Sequence, residues 1–231
     1  MKSFFLVFWL GHLIGDFVFQ TNKIAYLKSQ SKHGLLIHVG LVWLAQMIIM
    51  SSYGYSGLWA ATICSFVHYF VDVLKIELTK KGYKETYLFL FDQSLHASVL
   101  FMLTLVFGNA APLMSLDMHY VSIAAVFLAA GYAGSVFMII ALRDFDKDRK
   151  NEGFFKPNER IVDMVFILTM LAIHMVEKPL ILRVIVFISG VCIYAFAQRK
   201  VNDYNTKTIV FKTSIATMIL FYAMAVYRLF N

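Results

Sequence analysis

His12 and Asp16 stand four residues apart, and the same spacing recurs at His68 and Asp72 and, reversed, at Asp92 and His96. Residues at i and i+4 share one face of a helix. Each pair lies in an apolar stretch (FLVFWLGHLIGDFVFQ holds the first), and a further stretch, LLIHVG, contributes His38. A carboxylate at the bilayer centre costs about 2.5–3.5 kcal/mol on the most lenient insertion scale, so ionisable residues in such spans are expected to have a task.

Neutral imidazoles and carboxylates are the usual ligands of Zn²⁺, Mn²⁺ and Fe²⁺, and helical bundles build metal sites from inward-facing side chains. The candidate ligands are His12, Asp16, His38, His68, Asp72, Asp92 and His96. Zinc is the first expectation, with manganese or iron behind it. Seven donors exceed the need of one tetrahedral ion, and suit either two ions or one ion with further carboxylates orienting the histidines. With a ligand position open, the ion would acidify a water and hydrolyse an ester, amide or phosphoester. Asp16 and Asp92 are the candidate catalytic bases. Two other accounts compete: hydrogen-bonded Asp–His contacts that only hold helices together, and a carboxylate–histidine proton relay.

The elements that must position these residues are membrane spans. Of the 231 residues, 60% are hydrophobic and only 15% charged, against about 25% charged in soluble domains. Apolar runs predict about eight transmembrane helices, near 3–22, 34–53, 57–78, 87–108, 119–142, 160–176, 179–198 and 208–229. The fold class expected is therefore all-α, a polytopic integral membrane protein. An N-terminal four-helix bundle over 1–110 carries the site, and four further spans over 111–231 belong to the same membrane domain. The opening run has Lys2 before an apolar core but no small-residue cleavage site, so it is read as a retained helix.

Loop charge alternates. Lys23, Lys28 and Lys32 follow the first span, Lys80, Lys81 and Lys84 the third, and Arg199, Lys200 and Lys207 the seventh; the fifth loop is long and rich in both signs. The loops between them carry no charge, Asp117 alone, or Glu177 and Lys178. The positive-inside rule puts the basic loops in the cytoplasm and both termini outside, with Lys2, Arg183 and Arg228 as exceptions. At about 1.5 Å of rise per residue, Asp16, His38, Asp72 and Asp92 then fall within about 10 Å of the cytoplasmic helix ends, with the other three histidines one turn deeper. Four helices running in alternating directions bring the donors to one level. Helices one and three each carry HxxxD before a basic loop, a hint of internal repetition. It fails in helix two, where Gly34 stands at the position corresponding to Asp92.

GHLIGDFVFQTNKIA, LLIHVGLVWL, HYFVDVLK and FLFDQSLH resemble, in order and spacing, the bacterial membrane family of unknown function DUF3307. GFFKPNERIVDMVFIL is similar to that family's glycine-to-Glu-Arg segment, though FFKPN interrupts the usual spacing around Gly153, Glu159 and Arg160. The resemblance implies a multi-pass protein of the bacterial inner membrane and names no reaction. A looser likeness is to inner-membrane metal-dependent hydrolases.

Other polar residues have plainer accounts. Gln20 either lines the site mouth or ends a helix. Glu159, Arg160 and Asp163 either form a salt bridge that closes over the cluster or, the first expectation, are interfacial charges; His174 and Glu177 are read as interfacial, and His33 and His119 as solvated. Cys64 and Cys192 form no CxxC and are packing residues. AAGYAGS (129–135) permits close helix packing. No phosphate loop, nucleophile elbow or nucleic-acid motif occurs, and the net charge of +7 belongs to cytoplasmic loops rather than to a nucleic-acid surface. The leading function expected is a metal-dependent hydrolase, acting on a lipid-linked or membrane-adjacent substrate at the cytoplasmic leaflet of the lipid bilayer. The alternatives are a cation or proton-coupled transporter, and a non-catalytic partner docking a soluble protein on the loop at 143–160.

Overall fold

The computed structural model describes residues 1–145, 157–175, 179–202 and 204–230, with ten α-helices and no strand among them. The chain divides into two compact units, Met1–Leu128 and Ala129–Asn231. Gly153, most of the loop expected to dock a partner, and Glu177 with Lys178 lie outside the described residues, as does the side chain of Glu159.

In the first unit, α1 (Lys2–Leu13) runs into a wide π turn (Ile14–Val18), closed by the Phe19 N–H donating to the Ile14 carbonyl at 3.0 Å. The chain then bends by 85° into α2 (Asn22–Gln30), whose first turn is capped by the Thr21 hydroxyl accepting from the Ile24 N–H. The first span therefore stops at Val18 rather than residue 22, and the first basic loop is a helix. Ser31 caps α3 (Lys32–Met50), its hydroxyl accepting from the Gly34 N–H at 3.0 Å. After a 3₁₀ turn (Ser51–Tyr53) the chain reverses at Gly54, where φ is +57°, a conformation costly for any residue with a Cβ. Next come α4 (Gly54–Lys80), α5 (Glu85–Phe107) and α6 (Met118–Phe127). Helix α3 packs on α1, α2 and α4; α5 packs on α4 and α1; α6 packs on α1.

The interior of this unit is apolar at one end and polar at the other. Phe4, Val7, Phe8, Met50, Tyr53, Ala60, Ala61, Cys64 and Leu100 form a close cluster. Toward the opposite end the buried residues include His12, Asp16, His38, His68, Asp72, Asp92 and His96. The outside bears Leu36, Ile48, Trp59, Phe66, Phe101 and Met102. An apolar exterior around a polar interior inverts the pattern of water-soluble bundles.

The second unit begins at Ala129 within a second π turn (Leu128–Ala133) and holds α7 (Gly134–Phe145), α8 (Pro157–Met175), α9 (Leu180–Asn202) and α10 (Thr206–Phe230). Asp163 corrects its expected place as an interfacial charge. It is fully buried, 2.8 Å from Lys212 Nζ, and accepts hydrogen bonds from the Tyr194 hydroxyl and Gln198 Nε2, both at 2.6 Å. Arg160, three residues earlier on α8, lies 5.1 Å over the Tyr132 ring. Cys192 is exposed rather than packed, whereas Cys64 is buried and accepts from Gln46 Nε2.

Among the described residues, five helical stretches are long and apolar enough to cross a membrane, or six if α1 and α2 count as one broken span. The difference from eight has structural causes. One stretch, Lys32–Lys80, is 49 residues long and would extend about 74 Å if straight, against a hydrocarbon core of about 30 Å. It folds back at Gly54 so that α3 and α4 pack together. Helix α8 brings Glu159, Arg160 and Asp163 into a run of only 19 residues.

Candidate metal centre

All seven candidate ligands converge inside the first unit, two each on the α1–π segment, α4 and α5, and one on α3. His38 Nε2 lies 3.2 Å from His68 Nε2, 3.2 Å from Asp16 Oδ1 and 3.4 Å from Asp72 Oδ2. His68 Nε2 is 3.2 Å from Asp72 Oδ2 and 4.0 Å from Asp16 Oδ1. Ligand bonds of 2.0–2.1 Å at tetrahedral angles give ligand–ligand edges of about 3.3–3.4 Å. Four of these five separations are within 0.2 Å of that edge; the fifth is longer, and ligand atoms of Asp16, His38 and His68 form one group within 4.8 Å that does not include Asp72.

Hydrogen bonding alone accounts poorly for the cluster. His38 Nε2 carries at most one hydrogen, yet has three polar neighbours within 3.4 Å. Two of them are carboxylate oxygens, which only accept when ionised. His12 is the complementary case. It is 2% exposed, and neither ring nitrogen has a hydrogen-bond partner; Asp16 Oδ2 is 3.9 Å from its Nε2. A buried polar group left unpaired costs about 1–3 kcal/mol. Both the surplus of acceptors at His38 and the orphaned imidazole at His12 fit a cation among these side chains. Ligand atoms of His12, His68 and His96 lie within 4.8 Å of one another, as do those of Asp72, Asp92 and His96. Two ions sharing neighbouring donors are therefore as compatible with the arrangement as one.

Local structure explains why one pair differs from the others. His68–Asp72 and His96–Asp92 close to 3.2 Å within regular helix, whereas the π turn carries Asp16 away from His12 and toward His38. π turns inside helices occur frequently at functional sites. Gly15 makes the displacement feasible: a Cβ there would come within 2.6 Å of the Val42 Cα on α3. Gly11 similarly faces the Gln46 backbone at 3.3 Å, so the two glycines seat α1 against α3.

Sequence reasoning missed the polar groups around the donors. Lys28 Nζ lies 2.7 Å from Asp72 Oδ1 and donates to Gln20 Oε1 at 3.3 Å, which gives Gln20 a partner at the mouth. Lys75 Nζ lies 2.8 Å from Asp92 Oδ2, and Gln93 Nε2 donates to both Asp92 Oδ2 and Asp16 Oδ2. Lys75 had a signal, since it continues the His68–Asp72 stripe at one further turn. Lys28 had none, because its approach depends on α2 folding back over α3. That corner requires Gly34, where a Cβ would overlap the Leu27 carbonyl. The residue that breaks the apparent repeat is thus the one that lets Lys28 reach the site. A layer deeper, buried Gln46 accepts from the Ser65 hydroxyl at 3.0 Å.

A family model described as "Protein of unknown function (DUF3307)" matches residues 4–125. The chain belongs to the DUF3307 family. The matched region contains all seven donors together with Lys28, Lys75 and Gln93, and excludes the Asp163–Lys212 cluster of the second unit. No curated protein and no solved structure matches this DUF3307 chain.

Proposed function

We propose that this DUF3307 protein is a metal-dependent hydrolase of the bacterial inner membrane, with eight spans, both termini outside and its centre open to the cytoplasmic leaflet. The observation that carries the proposal is the close, buried approach of Asp16 and Asp72 oxygens to the paired His38 and His68 Nε2 atoms, where acceptors outnumber the available hydrogens. His12 and His96, grouped with His68, are the donors left for a second ion. Zinc suits this nitrogen–oxygen set best, with manganese or iron as substitutes. A divalent ion held there supplies an acidified water and polarises the bond to be cleaved.

The protein's own groups divide the remaining tasks. Asp16 Oδ1 lies between the His38 and His68 nitrogens, at 3.2 and 4.0 Å, so of the two candidate bases Asp92 is the better placed to take a proton. Its Oδ1 sits 3.2 Å from His96 Nε2, and Lys75 holds its other oxygen. Transport is less well supported. The end of the first unit beyond the donors is packed with Phe4, Phe8, Met50, Tyr53 and Leu100, a poor path for an ion among the described residues. A lipid-linked or membrane-adjacent substrate follows from a centre buried among helices whose outer surfaces are apolar.

The test is elemental mass spectrometry on detergent-purified protein, followed by turnover assays on lipid esters, amides and phosphoesters. Wild type should hold one or two equivalents of metal, and the His68→Ala, Asp72→Ala double variant none while still eluting as a folded species. Asp92→Asn should keep metal and lose about 10²–10⁴-fold in turnover. Well-folded wild type that stays metal-free after reloading overturns the proposal.

A further inference from the structure

We infer that Lys28 and Lys75 form an anion-binding rim over the metal centre, so that the group it takes is a phosphoryl group rather than a neutral ester or amide. The inference rests on the metal-centre proposal above and narrows its substrate class.

Charge is the first argument. Asp16, Asp72 and Asp92 contribute three negative charges and Lys28 and Lys75 two positive ones, a sum of −1. One divalent ion brings the centre to +1 and two bring it to +3. An ionised metal-bound water takes one positive charge off either total, and because uncompensated charge in a water-poor interior is costly, a two-ion centre draws a further anion. A neutral ester or amide supplies none, whereas a phosphoester supplies one or two negative charges and oxygens for several donors at once.

Geometry is the second argument. Side-chain exposure rises from 1% at Asp72 and 3% at Asp92 to 12% at Lys28 and 26% at Lys75, so the lysines mark the open side. Each lysine holds the outer oxygen of a carboxylate whose inner oxygen faces a histidine: Asp72 between Lys28 and His68, Asp92 between Lys75 and His96. Lys28 therefore need not be displaced when the inner oxygen of Asp72 binds metal, nor Lys75 when the inner oxygen of Asp92 takes a proton. An ammonium group has three donors. Lys28 directs its donors at Asp72 and Gln20, and Lys75 has Asp92 as its polar partner, leaving donor capacity at the mouth. Gln93, between Asp16 and Asp92, adds an amide at the same level.

The experiment titrates inorganic phosphate calorimetrically into zinc-loaded full-length protein, freed of excess metal, for wild type, Lys28→Gln and Lys75→Gln, with metal content measured on every sample. The inference expects both variants to keep wild-type metal and to bind phosphate about 10–100-fold more weakly, as loss of a charged hydrogen bond implies. Repeating the titration in phosphatidylcholine nanodiscs with and without phosphatidic acid separates the two sources of the group. Competition by phosphatidic acid identifies a lipid headgroup, and its absence identifies a soluble phosphoryl compound. Metal-loaded wild type that binds phosphate no better than metal-free protein overturns the inference and leaves the metal centre standing. Lysine variants that lose metal in step with phosphate also overturn it, because the lysines would then only hold ligands in place. Wild type without metal overturns both proposals.

Discussion

His38 Nε2 and His68 Nε2 face each other at 3.2 Å, one from α3 and one from α4, with carboxylate oxygens of Asp16 and Asp72 closing on both. Two imidazole nitrogens at that distance share either one hydrogen or one ion. A shared hydrogen pairs the two Nε2 atoms, while Lys28 meets Asp72 Oδ1 and Gln93 donates to Asp16 Oδ2. A shared ion would in addition engage Asp16 Oδ1 and Asp72 Oδ2. Such a cation would also lower the cost of burying three aspartates between apolar helices.

Removing individual ligands should separate the two groups of donors. His38→Ala takes away the nitrogen with the most neighbours and should weaken metal binding by more than the ~10–100-fold typical of an outer partner. His12 lies in the group with His68 and His96, apart from the one that joins His38 to Asp16 and His68. His12→Ala should therefore release one equivalent from a two-ion centre and retain the other. Metal stoichiometry measured beside a chelator titration checks both statements. Equal, complete loss in the two variants would point to one ion held by all the histidines.

Gly15→Ala tests whether the π turn sets the position of Asp16. The added Cβ meets backbone at Val42 Cα, which cannot swing aside as a side-chain tip would. Overpacking of this kind costs about 1–3 kcal/mol. The variant should melt lower in detergent, and metal affinity should fall further than in a control that destabilises the apolar end by a similar amount, such as Leu100→Ala. Unchanged metal binding in a destabilised Gly15→Ala protein would separate the turn from the site.

In the second unit, Lys212→Met leaves the Asp163 carboxylate buried without its counter-ion, and breaking a buried pair this way costs about 3–5 kcal/mol. Asp163→Asn, Lys212→Met together remove both charges while keeping an acceptor for Tyr194 and Gln198. The double variant should recover much of the lost stability, read as the midpoint of chemical unfolding. A double variant as unstable as the single one would mean that the charge pair itself does not govern stability there.

How far these features could be read in advance depended on whether they were local. The i,i+4 pairs lie on single helices, and the direction of each helix follows from loop charge, so the convergence of seven donors was legible before any coordinates. The break at Val18 was not, because FVFQTNKIA is apolar enough to prolong a helix and only the Thr21 cap and the packing of α2 on α3 interrupt it. Asp163 was misplaced for a related reason. Its neighbours Glu159 and Arg160 mark a helix end, while the partner that draws it inside, Lys212, is 49 residues away on α10. The glycines at 11 and 15 stand in small-xxx-small spacing, but their use, bringing α1 close to α3, depends on what stands opposite.

Orientation decides which compartment the centre serves, and impermeant thiol labelling of intact cells tests it. Exposed Cys192 is first changed to serine; buried Cys64 can remain. Ser29→Cys on α2 and Lys84→Cys before α5 stand at the donor end of the first unit, and Tyr55→Cys, at an 85%-exposed position, stands at its apolar end. Tyr55→Cys should react in intact cells, and the other two only after the membrane is opened. The reverse pattern would turn the centre outward, and the substrate would then be sought in the outer leaflet. Reaction of all three in intact cells would contradict a membrane-spanning first unit, since no bilayer would then separate the lysine-bordered mouth from the Gly54 turn.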